Sequence, residues 1–419
     1  MELIKYKLSD VAKVEISGVD KKTKEGEMSV KLCNFTDVYH NWAITKNLEN
    51  SFMQASANAN EIRRFSIKKG QVAFTKDSEK RDDIGISTYI ADDFDNVILG
   101  YHCALITPDD SKVSGAYINA FMQTNLIKKY FSDNASGSGQ RYTLTIDTMN
   151  NMPLFLPSLP EQKRIASVLS ALDRKIALNR QINQNLEALA RQLYDYWFVQ
   201  FDFPNEKGKP YKSSGGKMVY NPILKREIPE GWENGILSDI ANITMGQSPD
   251  GSSYNEEGDG VIFYQGSTDF GERFPKIRQY TTAPSRFAKK GDILMSVRAP
   301  VGDLNIANND CCIGRGLSAL NSKVGSITHL YYIMLSFKDM FERKSAIGTT
   351  FGSINKDELY NLPIIKPTTK IIKLFENKCK PIFDQQMSLG YEIDSLTKQR
   401  DELLPLLMNG QVNFDLSDD

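Results

Sequence analysis

Few residues in this chain have the types and spacing that chemistry requires. The three histidines (His40, His102, His329) and five cysteines (Cys33, Cys103, Cys311, Cys312, Cys379) are scattered and form no C-x-x-C pair. A structural zinc site needs clustered thiolates and imidazoles, so the expectation is no metal. His102-Cys103 is a neighbouring pair that packing alone explains. Two-metal nuclease chemistry needs converging carboxylates, usually with a lysine. Pro108-Asp109 and Pro249-Asp250 begin in that way, but no Glu-x-Lys follows either, and Glu79-Lys80 and Glu256-Glu257 read as surface. A G-x-x-x-x-G-K-[ST] phosphate loop is absent, which leaves ATP use unsupported.

Recognition chemistry is better represented. Gly137-Ser138-Gly139-Gln140-Arg141 places small residues, whose backbone N–H groups can approach a phosphate, beside two side chains that can reach base edges. Arg298, just after an apolar strand, can pair bidentately with guanine or bind a phosphate. Gln265 can pair with adenine or cap a turn. A formal net charge of −1 requires that any phosphate-binding surface be locally segregated. Two stretches qualify: Arg63, Arg64, Lys68, Lys69 and Lys76, then Lys276, Arg278, Arg286, Lys289, Lys290 and Arg298. Either stretch can equally be solvated surface.

The elements that would position these residues occur twice. Leu8-Ser9-Asp10-Val11-Ala12 returns as Leu237-Ser238-Asp239-Ile240-Ala241, and Lys68-Lys69-Gly70-Gln71-Val72 as Lys289-Lys290-Gly291-Asp292-Ile293. Ile146-Asp147 and Asn151-Met152-Pro153 match Lys356-Asp357 and Asn361-Leu362-Pro363, and Thr36-Asp37 matches Thr268-Asp269. The offset falls from 229 to 221 to 210, so the second copy is shortened in its loops. The loop at Gly137–Arg141 aligns with Ile347-Gly348-Thr349-Thr350-Phe351, which adds Thr349 and Thr350 to the candidates.

Each copy is followed by a helical pattern of period seven. The first runs through Ile165, Leu172, Asn179, Leu186 and Leu193, with Leu169, Ile176, Asn183, Ala190 and Trp197 four residues on. The second runs through Phe375, Ile382, Leu389, Leu396 and Leu403. That period implies helices packed along a coiled-coil seam, with Asn179 and Asn183 fixing register. Pro160 and Glu161 suit a helix start, and Gly410 after Asn409 suits a stop. Pro381 and Pro405 predict a kink or a short lead-in in the second helix. A helix of about 37 residues is roughly 55 Å long.

The expected fold class is therefore mixed α and β (α+β or α/β). It comprises two globular domains in tandem, each followed by a long helix, the two helices packed antiparallel. The expected boundaries are 1–157, 158–200 for the first helix, 201–232 for a Gly/Pro/Ser/Lys linker, 233–367, and 368–412 for the second helix. With 41% hydrophobic residues, no run of about 18 apolar residues, and no charged-then-apolar start at Met1–Tyr6, a reduced cytoplasmic protein is expected.

These segments resemble the specificity subunits of type I restriction–modification enzymes. The carriers are Leu159-Pro160-x-x-x-x-Arg164-Ile165 through Leu172-Asp173-x-x-Ile176, and Phe201-Asp202-Phe203-Pro204 with Gly208-Lys209-Pro210-Tyr211-Lys212-Ser213-Ser214-Gly215-Gly216. Ile228-Pro229-x-Gly231-Trp232, Phe263-Tyr264-Gln265-Gly266 and Ser296-Val297-Arg298-Ala299-Pro300-Val301-Gly302 complete the set. The resemblance spans essentially the whole chain. It implies two target-recognition domains reading a bipartite DNA sequence, with paired helices as a ruler between them. The helices would dock two methylase subunits that bind S-adenosylmethionine, and a restriction subunit would join the assembly. On this basis Arg164, Asp173, Leu186, Leu193, Leu396 and Leu403 are the partner-binding candidates. Glu161-Gln162-Lys163 has no counterpart in the second copy, which reads Ile371-Ile372-Lys373.

An adenine methylase needs an Asn/Asp-Pro-Pro-Tyr/Phe motif, and Asn221-Pro222-Ile223 lacks its second half. The reading is thus a non-catalytic, cofactor-free recognition subunit. Its rivals are a stand-alone nuclease, a fused methylase, or a coiled-coil scaffold. The missing motifs count against the enzymes, and the family segments inside both globular domains count against the scaffold.

Overall fold

A computed structural model describes residues 2–137, 140–346 and 352–412. The chain forms two compact units, Met1–Leu178 with Asp394–Asp419, and Asn179–Ile393.

In the first unit, strand Ile4–Lys7 pairs antiparallel with Pro153–Leu156. A short helix, Leu8–Val11, then leads into a five-stranded sheet in which Ala12–Ile16, Cys103–Pro108, Val72–Thr75, Ser87–Ile90 and Ala43–Ile44 lie side by side. A three-stranded sheet centred on Met28–Cys33 carries one parallel neighbour, Val97–Leu99. The second unit repeats the plan. Glu233–Ile236 pairs with Pro363–Lys366, helix Leu237–Ile240 follows, and Ala241–Met245, Leu317–Ser322, Ile293–Ser296 and Leu304–Ile306 form the corresponding sheet. Val261–Tyr264 again takes a parallel neighbour, Cys311–Ile313. Predominantly antiparallel sheets with peripheral helices make both units α+β.

The repeated residues are caps and turns. Asp10 accepts from the Lys7 backbone N–H at 2.8 Å, and Asp239 from that of Ile236 at 3.1 Å, starting equivalent helices. Asp37 and Asp269 accept from the Asn34 and Gly266 N–H groups in the same manner, at 2.8 and 3.3 Å. The Lys-Lys-Gly turn is closed from Lys68 to the Gln71 side chain and from Lys289 to Asp292, both at 2.8 Å. Its glycines, Gly70 and Gly291, sit at φ 95° and 94°, where a Cβ is strained. Asn151 and Asn361 each donate back to the carbonyl of the aspartate four residues earlier at 2.8 Å.

The long helices cover Leu159–Tyr194 and Thr369–Met408, the first continued by a π turn at Asp195–Val199. Within the first unit Ile165 and Leu169 share a core with Leu404, Leu407 and Met408, and Asp173 lies 3.8 Å from Arg400. Within the second, Asn179 donates to Glu392 at 2.8 Å, Gln386 to Glu187 at 2.9 Å, and Trp197 meets Phe375. Rising numbers on one helix meet falling numbers on the other, so the pairing is antiparallel in both units. The expected kink or lead-in is not seen as a break: one helix runs through Pro381 and Pro405. Both prolines face solvent, which lets the carbonyls they leave unbonded be hydrated. After Met408 the Gly410 and Gln411 N–H groups return to Leu407 and Leu406, with Gly410 at φ 69°, a Schellman stop.

The stretch read as a linker has packing of its own. Phe203 stacks between Tyr211 and Trp232 at 4.7 and 5.0 Å, and Asp202 accepts from the Ser213 N–H and hydroxyl at 2.7 and 2.6 Å. A hairpin, Met218–Asn221 with Arg226–Pro229, follows.

Candidate nucleic-acid interface

In each copy three segments meet at one junction. In the first, strand Val72–Thr75 runs on to Lys76, whose N–H donates to the His102 carbonyl at 2.8 Å and whose carbonyl accepts from Leu144 at 2.9 Å. Asp77 and Ser78 then pair with Thr143 and Tyr142. In the second, Ile293–Ser296 runs on to Val297, whose N–H donates to the Gly316 carbonyl and whose carbonyl accepts from Ile354, both at 2.9 Å. Arg298 then bridges to Ser353. The bonds at Lys76 and Val297 match, although His102 lies in the left-handed region at φ 72° and Gly316, its counterpart, does not.

Their side chains differ. At the first junction Lys76 Nζ donates to Asp77 Oδ2 at 2.7 Å, and His102 Nδ1 lies 2.7 Å from the same oxygen. Arg141 Nη2 reaches His102 Nε2 at 3.3 Å. Burial pushes the Asp77 carboxyl up, but hydrogen bonds from Lys76, Thr143 and His102 outweigh it, and the group stays below the ordinary carboxylate range. Lys76 and Arg141, picked out separately in the sequence, are thus brought together through two residues that were not. Gln140 is exposed beside them.

At the second junction Arg298 and Arg315 are exposed, and neither side chain makes an ion pair with a described residue. Gln265 is exposed too, its backbone N–H held by Asp269. Close packing joins these segments: a Cβ on Gly316 would lie 2.6 Å from the Gln265 carbonyl oxygen. Ser138, Gly139, Thr349 and Thr350 lie outside the described residues.

The basic stretches are partly neutralised. Arg64 pairs with Glu15 at 3.1 Å, and Arg278 Nε with Asp269 at 2.8 Å; Lys68, Lys69 and Lys289 are exposed on their turns, and the exposed Lys290 has its ammonium 5.5 Å from the Tyr391 ring centroid. Of the partner-binding candidates, Arg164 is exposed. Asp173 is buried against Arg400, Leu193 and Leu403 pack partly onto the two cores, and Leu186 and Leu396 are half-buried. His329 is buried among Tyr194, Phe198 and Phe375, and desolvation lowers its pKa to about 3, so it stays neutral. All five cysteines are free and buried. Among the described residues no His/Cys/Asp/Glu cluster could hold a metal, and no helix is long and apolar enough to cross a membrane.

Sequence reasoning missed Asp77, His102 and Arg315. A usable signal was present: Leu99-Gly100 and Ile313-Gly314 are a further repeat pair at offset 214, and it brings His102 opposite Gly316. The structure uses that pair identically, with the Gly100 and Gly314 N–H groups donating to Cys33 and Tyr264 at 2.8 Å.

Comparison with known proteins completes the description. A solved type I restriction–modification S subunit from M. genitalium has the same fold, with a TM-score of 0.56 over 97% of this chain and 96% of that one at 15% identity. A Methanocaldococcus jannaschii protein, whose name assigns it as the MjaX specificity subunit of a type I restriction enzyme, is 31% identical over 75% of this chain and 72% of its own. The HindI specificity subunit of Haemophilus influenzae is 25% identical over 83% of this chain and 87% of its own. The family model for the type I restriction modification DNA specificity domain matches twice, at residues 4–188 and 229–401. Matched over most of its length by that model, the chain belongs to the type I restriction–modification DNA specificity family.

Proposed function

We propose that the two junctions are the DNA-reading surfaces, one for each part of a bipartite target, and that the chain itself is non-catalytic. The observation that carries this reading is the shared backbone junction bearing unlike side chains: Lys76, His102 and Arg141 in one copy, Arg298 and Arg315 in the other. A common scaffold with exchanged side chains is what two readers of different sequence require, since base edges are distinguished by donor and acceptor pattern. Lys68, Lys69, Lys289 and Lys290 would add sequence-independent attraction to phosphate. The paired helices serve as spacer and as the docking site for methylase and restriction subunits, with Arg164 the most accessible of the candidates.

The test uses purified chain with and without its methylase partner, S-adenosylmethionine and a DNA library. Methylation of a two-part motif only when both proteins are present is expected. Methyl transfer by the single chain would remove the non-catalytic reading, and a motif with one uninterrupted part would remove the bipartite one.

A further inference from the structure

His102 has a backbone in the left-handed region, φ 72°, which residues with a Cβ adopt rarely. Its ring is held from three sides. Tyr101 lies against it with centroids 3.7 Å apart, the buried Asp77 carboxylate meets Nδ1, and Arg141 meets Nε2. These partners dictate the tautomer: a carboxylate at Nδ1 requires the proton there, which leaves Nε2 as acceptor for the guanidinium. Lys76 shares the same carboxylate oxygen and keeps Asp77 ionised and in place.

We propose that Asp77 and His102 are positioning residues that hold the Arg141 guanidinium ready for bases of the first half-site, and so help to set its specificity. The inference rests on the junction being the DNA interface. An unrestrained arginine gives up rotamer freedom when it binds, whereas one already tethered through Nη2 gives up less and still presents its other N–H groups. Strained backbone survives where surrounding bonds over-determine it, as they do at His102. The second copy differs: Gly316 occupies the equivalent position, and neither Arg298 nor Arg315 makes an ion pair with a described residue.

The experiment compares wild type, Arg141→Ala, His102→Ala, the double variant and Asp77→Asn, each assembled with the methylase. Binding is measured on DNA varied in the first half-site, and the second half-site serves as internal control for folding. Arg141→Ala is expected to lower discrimination at one base position by roughly 5- to 150-fold, the equivalent of about 1–3 kcal/mol. His102→Ala should reproduce most of that loss, Asp77→Asn should act in the same direction, and the double variant should be no worse than Arg141→Ala. Preference at the second half-site should not move. Multiplying losses in the double variant, or intact discrimination in His102→Ala, would overturn the positioning role while leaving the interface in place. A fall in affinity that is uniform across sequences would make Arg141 a phosphate contact and overturn it as well. No change at all in Arg141→Ala would instead remove the interface reading on which the inference stands. Should His102→Ala also lose the second half-site, the isosteric Asp77→Asn decides by the same criterion.

Discussion

The two junctions share their backbone hydrogen bonds and differ in how their charges are held. At the first, a carboxylate, an imidazole, an ammonium and a guanidinium are bonded to one another before any ligand arrives. At the second, Arg298 and Arg315 point outward without ion-pair partners among the described residues, and glycines at 314 and 316 let Gln265 approach closely. The difference teaches that the fold conserves bonding geometry and leaves the side chains free to vary. If the junctions are the proposed reading surfaces, the energetics differ too: Arg141 is already held by His102, whereas Arg298 and Arg315, which make no ion pair with a described residue, would be ordered on binding.

The largest effect should come from exchanging a whole reader. Replacing residues 236–363 with the matching segment of a relative should rewrite one half-site and leave the other untouched. Simultaneous change in both half-sites would break the comparison at its root, because the readers would not be independent.

A smaller effect separates the junctions by their glycines. Gly316→Ala forces a Cβ to within 2.6 Å of the Gln265 carbonyl, so the backbone must shift. A cost of about 1–3 kcal/mol is expected, with weakened reading at the second half-site alone. Thermal unfolding and half-site selection measure the two parts. His102, at the equivalent place, already carries a full side chain, and full tolerance of Gly316→Ala would contradict the close-packing account.

The smallest effect concerns acid. Asp77 has its folded-state pKa depressed, so its contribution to stability is present above the unfolded value, about 3.9, and is lost as pH falls through the folded value. Asp77→Asn should therefore melt below wild type at pH 7 and approach it as pH drops beneath about 4. Parallel curves at all pH values would mean that the Lys76 and His102 bonds to Asp77 do not stabilise its charged form.

What the sequence made legible, and what it hid, follows from the same split between scaffold and side chain. Asp10 and Asp239, Gly70 and Gly291, Asn151 and Asn361 recur because helix starts, left-handed turns and helix ends each admit few residue types. The heptad leucines were legible because packing imposes a period. Arg298 could be picked out after an apolar strand, and Arg141 in a polar stretch of small residues. The Leu99-Gly100 repeat could have marked the position of His102, but not its partner Asp77, because the two are 25 residues apart in sequence and meet only through the pairing of distant strands. The internal packing of the linker was hidden for a related reason. Its turn glycines dominate the composition, while Phe201, Phe203, Tyr211 and Trp232 reveal their packing only in three dimensions.

The central claim is that one scaffold reads two different half-sites through separate arginines. Selection from a DNA library randomised in both half-sites, using the assembled methylase complex with Arg141→Ala or Arg298→Ala, tests it most directly. Arg141→Ala should relax a base position in one half-site and Arg298→Ala a position in the other, each by about 1–3 kcal/mol of discrimination. Relaxation of the same half-site by both variants, or undiminished selectivity in both, would contradict the account.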